Sequence, residues 1–363
     1  MSGLLTTGRL LAPRSLFFGL CAVALVYAVA VPFVNQPYIV QDYTLILLVA
    51  LTATGLSLLT GFGGVTSIGH SAIFGLGAYA TAILCADHNW QWWAALPVSV
   101  LLALAAGALI GIPALRIKGL YLAILTMGIA VLFPSLILKY GGLTGGDLGL
   151  PLPTMEPPAW TGLATDQFGY LVCLVALVLG MVLARNVARG RTGLALIAMR
   201  DNETAAIAMG VSIRRAKITV FALSACFAGV AGSLFAATQG IVSSSNSYVT
   251  LTGSIEFLAA MVIGGSTTVL GPVIGAAIAE RVPVMLSSSN AQLAPFIYGA
   301  ILIIVMLVMR DGIAGAVARL VQHRLAKHGP GGPGAGGQPA PRQKHGQRQR
   351  PTAANTAQLT ATR

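Results

Sequence analysis

Charge is scarce in this chain. Only 9% of its 363 residues are charged, against about 25% in a soluble globular domain, which excludes that class. Cysteine is scarce too. Cys21, Cys85, Cys173 and Cys226 fall in or at the ends of different apolar runs, without metal-ligand or redox spacing. They read as packing thiols, and no disulfide framework is implied. No GxxxxGKS/T phosphate loop, HExxH or Cys/His ligand cluster is present, so no motif supplies an energy source or a metal. The apolar runs hold too few acids and bases for a proton relay.

What the chain has is apolar sequence, 56% of it hydrophobic. Repeated runs of about 20 residues predict an all-α, polytopic helical membrane protein. The net charge of +12 is not a nucleic-acid signal. The basic residues sit in loops and near the end of the chain, where they set orientation and face anionic lipid.

Arg9 and Arg14 precede a first apolar run at 15–34. A secretory signal peptide cleaved near Ala28-Val29-Ala30 is the rival reading; the length of the run and the spans after it favour a retained span. A second span is expected over 43–60, with Asp42 as an interfacial cap, broken by Gly61-Phe62-Gly63-Gly64. The run 65–85 is rich in small residues, which let helices approach closely in a bilayer. Its one histidine, His70, is a functional candidate as an intramembrane ionisable group. The competing reading is a hydrogen bond to a neighbouring helix. Trp90, Trp92 and Trp93 fit an interfacial belt. Further spans are expected over 94–113, 119–138, 169–184, 216–237 and 295–309.

Residues 139–168 carry acids, several Gly and Pro and one Lys, which suits an irregular periplasmic loop. The run 254–278 breaks at Gly264-Gly265-Ser266-Thr267-Thr268 and again at Gly271-Pro272. Discontinuous helices expose backbone only to protein or a wet cavity. If this run enters and returns, every Lys/Arg-rich interval falls on the cytoplasmic side. The chain then makes about ten crossings with both termini inside. The domain map is a cytoplasmic N-terminus (1–14), a transmembrane domain (15–327) and a basic tail (328–363) too poor in apolar residues to order. Residues 63–68 also echo 264–269, through an internal repeat or by chance.

The longest polar interval is 185–217, with seven Lys or Arg against Asp201 and Glu203. Such an excess marks a cytoplasmic loop. Asp201 and Asn202 are N-cap types ahead of Thr204-Ala205-Ala206-Ile207-Ala208-Met209, and Gly210 is a C-terminal stop. The interval therefore predicts a short helix with small apolar residues outward: a plain membrane-proximal loop, or a docking helix for a soluble partner.

Several stretches carry a family resemblance. They are LTGFGGVTSIGHSAIFGLGAYATAIL (59–84), KGLYLAILTMGIAVLF (118–133), LTGGDLGL (143–150), the interval 190–236 opening GRTGLALIAMRDNETAAIAMG, MVIGGSTTVLGPVIGAAI (261–278) and MRDGIAG (309–315). In their order and spacing, over 43–315, the chain resembles inner-membrane permease subunits of branched-chain amino acid ABC importers, of the LivM type. Glu280-Arg281 depart from the apolar sequence expected there.

The resemblance implies a bacterial inner-membrane pore half paired with a second permease chain, two ATPase subunits below it, and a soluble binding protein delivering substrate from outside. ATP is then used by the partners, this chain binding no cofactor and no nucleic acid. The coupling segment maps to 190–211. Asp201 and Glu203 would cap and orient its helix, Ala205 and Ala206 would permit close packing in an ATPase groove, and Gly210 would end it. Leucine, isoleucine or valine would cross by alternating access. Exposed backbone at Gly63, Gly64, Gly264 and Gly265, with Ser67, His70 and Thr267, would offer polar contacts along the path; the competing role of those glycines is helix packing. The same architecture suits urea, short amides or other amino acids. An ion-coupled secondary carrier is a different class, and an intramembrane enzyme lacks a catalytic constellation.

Overall fold

Pro37 sets φ for a first helical turn and needs no hydrogen-bond acceptor there. It opens α2 (Pro37–Leu56), which widens into a π-helical turn at Ser57–Phe62. The computed structural model describes residues 26–117, 119–159 and 161–289, with isolated positions from 297 onward. Helix α1 is described over 26–34. After α2 come α3 (His70–His88), α4 (Trp92–Gly111), α5 (Leu120–Lys139), the single turn α6 (Gly141–Thr144), α7 (Thr165–Arg189), α8 (Arg191–Asp201), α9 (Glu203–Ala208), α10 (Ile213–Gln239), α11 (Leu251–Gly264) and α12 (Gly271–Ser289). Continuous stretches of the expected N-terminus, of the span at 295–309 and of the tail lie outside the described residues.

Among the described residues, five helices are long and apolar enough to cross a membrane: α2 with its π-helical end, α4, α5, α7 and α10. They divide by burial. The most apolar window is 83% buried in α2 and 67% in α10, but 28% in each of α4, α5 and α7. So α2 and α10 form the axis, and the other three turn side chains such as Leu109, Val131 and Leu179 outward. Lipid is as apolar as leucine, so helices in a bilayer associate by close packing and interhelical hydrogen bonds. Both occur along α10, which packs on α3 and α4. Gly77 of α3 lies against the Gly229 backbone of α10, where any side chain would collide. One turn on, the hydroxyls of Thr81, Ser99 and Ser233 join α3, α4 and α10 at 2.7 and 2.8 Å.

The connections gather at two ends. At the basic end, Arg200 of α8 reaches the Gly61 carbonyl, and Gly61 lies on Ser266 between α11 and α12. At the other end, β1 (Leu150–Pro151) pairs antiparallel with β2 (Ile241–Val242). There Ser244 donates to Asp147 and Trp92 packs edge-on to Phe168.

Several boundaries differ from expectation. Residues 139–168 are not wholly irregular: they hold α6 and β1, so the described residues are all-α apart from one two-stranded ladder. Asp42 is not a cap. Gln36 is the N-cap of α2, and Asp42 sits inside the helix, 3.7 Å from Arg281. The run 65–85 becomes helical only at His70. The run 254–278 has one break, because Gly271-Pro272 starts α12, where proline suits the first turn. Glu280 and Arg281 lie mid-helix with partners: Tyr248 donates to Glu280 at 3.1 Å, and Arg281 stacks 4.3 Å from the Tyr43 ring centroid.

Candidate functional site

The polar interval folds into two helices at the basic end. The first, α8, buries Gly193, Leu196 and Met199, spaced three apart on one face. Asn202 then leaves the helical region and caps α9, its Oδ1 accepting from the Ala205 N–H at 3.0 Å. This corrects the assignment of Asp201, which ends α8 and pairs with Arg200 at 3.1 Å. Asn wins because an Ncap residue must sit outside the helix with its side chain over the first turn.

Glu203, in the first turn of α9, lies 3.4 Å from Lys217 of α10. Lys217 is 5% exposed, and a buried ammonium is costly unless it is paired. The far end of α9 is a Schellman motif. Gly210 has φ +83°, its N–H donates to the Ile207 carbonyl, and the Val211 N–H donates to the Ala206 carbonyl, both at 2.9 Å. The stop expected at Gly210 is therefore formed by backbone.

The face of α9 differs from expectation. Ala206 is buried against its own chain, whereas Ala205, Ile207, Ala208 and Met209 are exposed. Ile207 is 58% and Met209 84% exposed. The outward surface thus includes two large apolar side chains beside Ala205, and Ala206 faces the opposite way, in a helix held by the Asn202 cap, the Glu203–Lys217 pair and the Gly210 turn.

Gly63 and Gly64 share a cavity of about 170 Å³ with Thr66, Arg200, Glu203 and Lys217. The structure thus brings one predicted pathway turn against one predicted coupling residue. Ser67 and His70 are elsewhere. His70 is 1% exposed, 3.3 Å from Ser67 and 2.7 Å from Ser224 of α10. Gly264 and Gly265 are buried in the α11–α12 turn, and Thr267 is exposed. Arg200 and Lys217 are the site residues that the sequence did not single out. Arg200 reaches Gly61 139 residues away and Lys217 meets Glu203 from a separate helix, and the local signal is the apolar spacing of α8, which points to a helix with an inward face. At the opposite end, burial and the Glu280 and Glu256 carboxylates push the Tyr248 phenol above its usual range, so it stays a donor to Glu280.

Residues 38–306 match the family described as branched-chain amino acid transport system / permease component. The chain is 36% identical over 264 residues to the high-affinity branched-chain amino acid transport system permease protein LivM of Escherichia coli K12. That match covers 66% of this chain and 62% of the relative, so the chain spans less than two thirds of the LivM protein. It is 26% identical over 286 residues to LivH of Salmonella typhimurium, covering 73% of this chain and 91% of that protein. A third relative is LsrC, the autoinducer 2 import system permease protein of Enterobacter sp. strain 638, 32% identical over 50% of this chain and 53% of that protein. No solved structure matches the chain. With the family match running from α2 to beyond α12, the chain belongs to the permease components of branched-chain amino acid transport systems.

Proposed function

We propose that this chain is one permease subunit of an ATP-driven importer that carries leucine, isoleucine or valine across a bacterial inner membrane by alternating access. The observation that carries the reading is α9: a helix capped at both ends, tied to α10 by Glu203 and Lys217, with Ile207 and Met209 outward. An exposed apolar face on a pinned helix suits docking to a soluble subunit. Asp201, Glu203, Ala205 and Gly210 shape that segment, with Ala206 packing it onto this chain.

The basic end faces the cytoplasm by the positive-inside tendency, which places 139–168 outside. In that orientation the chain makes about ten crossings, counting α1, the α11–α12 hairpin and one span after α12, with both termini inside. The partners are a second permease, two ATPase subunits that use the ATP, a binding protein outside, and lipid. Gly63, Gly64, Gly264 and Gly265 border the path where the two turns meet at the basic end; Ser67, His70 and Thr267 complete the proposed set. Cargo has a second reading on one observation. An autoinducer 2 permease matches half of this chain, which supports the alternative that the same architecture carries other cargo, such as urea, short amides or other amino acids.

The test is co-purification of the tagged chain in mild detergent beside Ile207→Glu. That side chain is exposed, so folding is expected to be unaffected. ATPases and a second permease should accompany the wild type, and Ile207→Glu should lose the ATPases alone. A wild-type chain that purifies alone, yet supports ion-driven uptake, would be a secondary carrier instead.

A further inference from the structure

Arg200 does not belong to the face that α9 presents. It is the penultimate residue of α8, and its side chain runs back into the molecule. The guanidinium is divided between two partners. Nε donates to Asp201 Oδ1 at 3.1 Å, with Nη2 at 3.1 Å from the same oxygen, while Nη1 donates to the Gly61 carbonyl at 2.7 Å. Gly61 lies in the π-helical end of α2, where the last carbonyls lack intrahelical donors. A cation is favoured there by the helix dipole.

Two close approaches extend this contact. Gly64, at φ +67°, lies under the Arg200 stem, and a methyl group on it would overlap Arg200 Cγ. Gly61 itself touches the Ser266 backbone in the α11–α12 turn, leaving no room for a side chain. One side chain therefore spans from the residue beside the α9 cap to the end of α2, and through Gly61 to the second glycine turn. Asp201 holds the fork so that Nη1 is aimed at Gly61.

We infer that Arg200 is a positioning residue: a strut that transmits displacement of α8–α9 to the 61–64 and 264–268 turns. A rigid charged fork on a helix-end carbonyl has two discrete arrangements, made and broken, which is what coupling between sites requires. Without it, α9 moves while the two turns do not follow.

The inference rests on the reading of α8–α9 as the ATPase-docking segment. Its test uses the assembled complex in liposomes, with cargo uptake and ATP hydrolysis measured on the same vesicles. Arg200→Ala should co-purify with the ATPases and hydrolyse ATP within about twofold of wild type, but move about tenfold less cargo per ATP, inside the about 5–150-fold span of allosteric couplings. Arg200→Lys keeps a cation for the Gly61 carbonyl but not the fork that Asp201 holds, and should recover only part of that ratio. A merely structural role lowers hydrolysis and uptake together; that outcome, or an unchanged ratio, overturns the inference. Should Arg200→Ala fail to assemble, Arg200→Gln is judged by the same ratio, and failure of both makes Arg200 a folding residue and also overturns it. Failure of the underlying reading looks different: the wild-type chain then carries no ATPase and shows no ATP-dependent uptake.

Discussion

Replacing Gly210 with alanine isolates one backbone term. The residue ends α9 at φ +83°, and a methyl group built on it would meet nothing within 4 Å. No steric clash or lost contact complicates the change. What remains is the cost of a β-carbon in the left-handed region, about 1–2 kcal/mol, partly offset by the lower entropy of the unfolded chain. A net loss of about 1 kcal/mol corresponds to about fivefold in an equilibrium constant. The loss should be local, because α9 is a six-residue helix and short surface segments open sub-globally. The assay is amide hydrogen exchange on the purified chain in detergent. The Val211 amide, which donates to Ala206, should exchange about fivefold faster in Gly210→Ala. Gly210→Asn should fall between the two, since asparagine tolerates the left-handed region. Amides of α10 should not change. Equal Val211 exchange in all three proteins would refute the Schellman account of how α9 ends, and a loss spread through α10 would refute its independence.

The remaining predictions concern the polar ties. Glu203→Gln leaves the Lys217 ammonium buried without its carboxylate and should cost about 3 kcal/mol, seen as a lower unfolding midpoint; Lys217→Met in the same background should restore most of it, and strict additivity would count against the pair. Gly77→Val drives a side chain into the Gly229 backbone and should cost more than about 3 kcal/mol, measured as loss of folded protein in detergent; a neutral result would contradict the α3–α10 contact. Ser224→Ala removes the 2.7 Å partner of His70, and Ser67→Ala the 3.3 Å one. The first should be the more destabilising, by up to about 1 kcal/mol, and the reverse order in thermal unfolding would mean that His70 is held mainly from its own segment.

Most spans were legible because their signal is long and one-dimensional. A run of apolar residues has only one stable solution in a bilayer, so the centres of α2, α4, α5, α7 and α10 could be placed from composition. Their ends could not. Gly61-Phe62-Gly63-Gly64 announced a break, but the π-helical turn before it depends on what packs there: the Ser266 backbone and the Arg200 fork. The same limit applied to α9. Its existence followed from cap and stop residues, and its rotation did not, because Ala205 and Ala206 are identical in type and which one faces inward is settled by tertiary contacts such as the Glu203–Lys217 pair. Helix α8 went unread because its buried stripe is only Gly193, Leu196 and Met199, too few apolar positions to stand out within a basic loop. Arg200 and Lys217 were counted as basic residues that orient a loop, which is their collective effect and says nothing of their individual partners. Composition fixes which side of a membrane a charge prefers. The partner it finds there depends on contacts 139 residues away in the case of Arg200 and Gly61, and those exist only once α8 has docked on the end of α2.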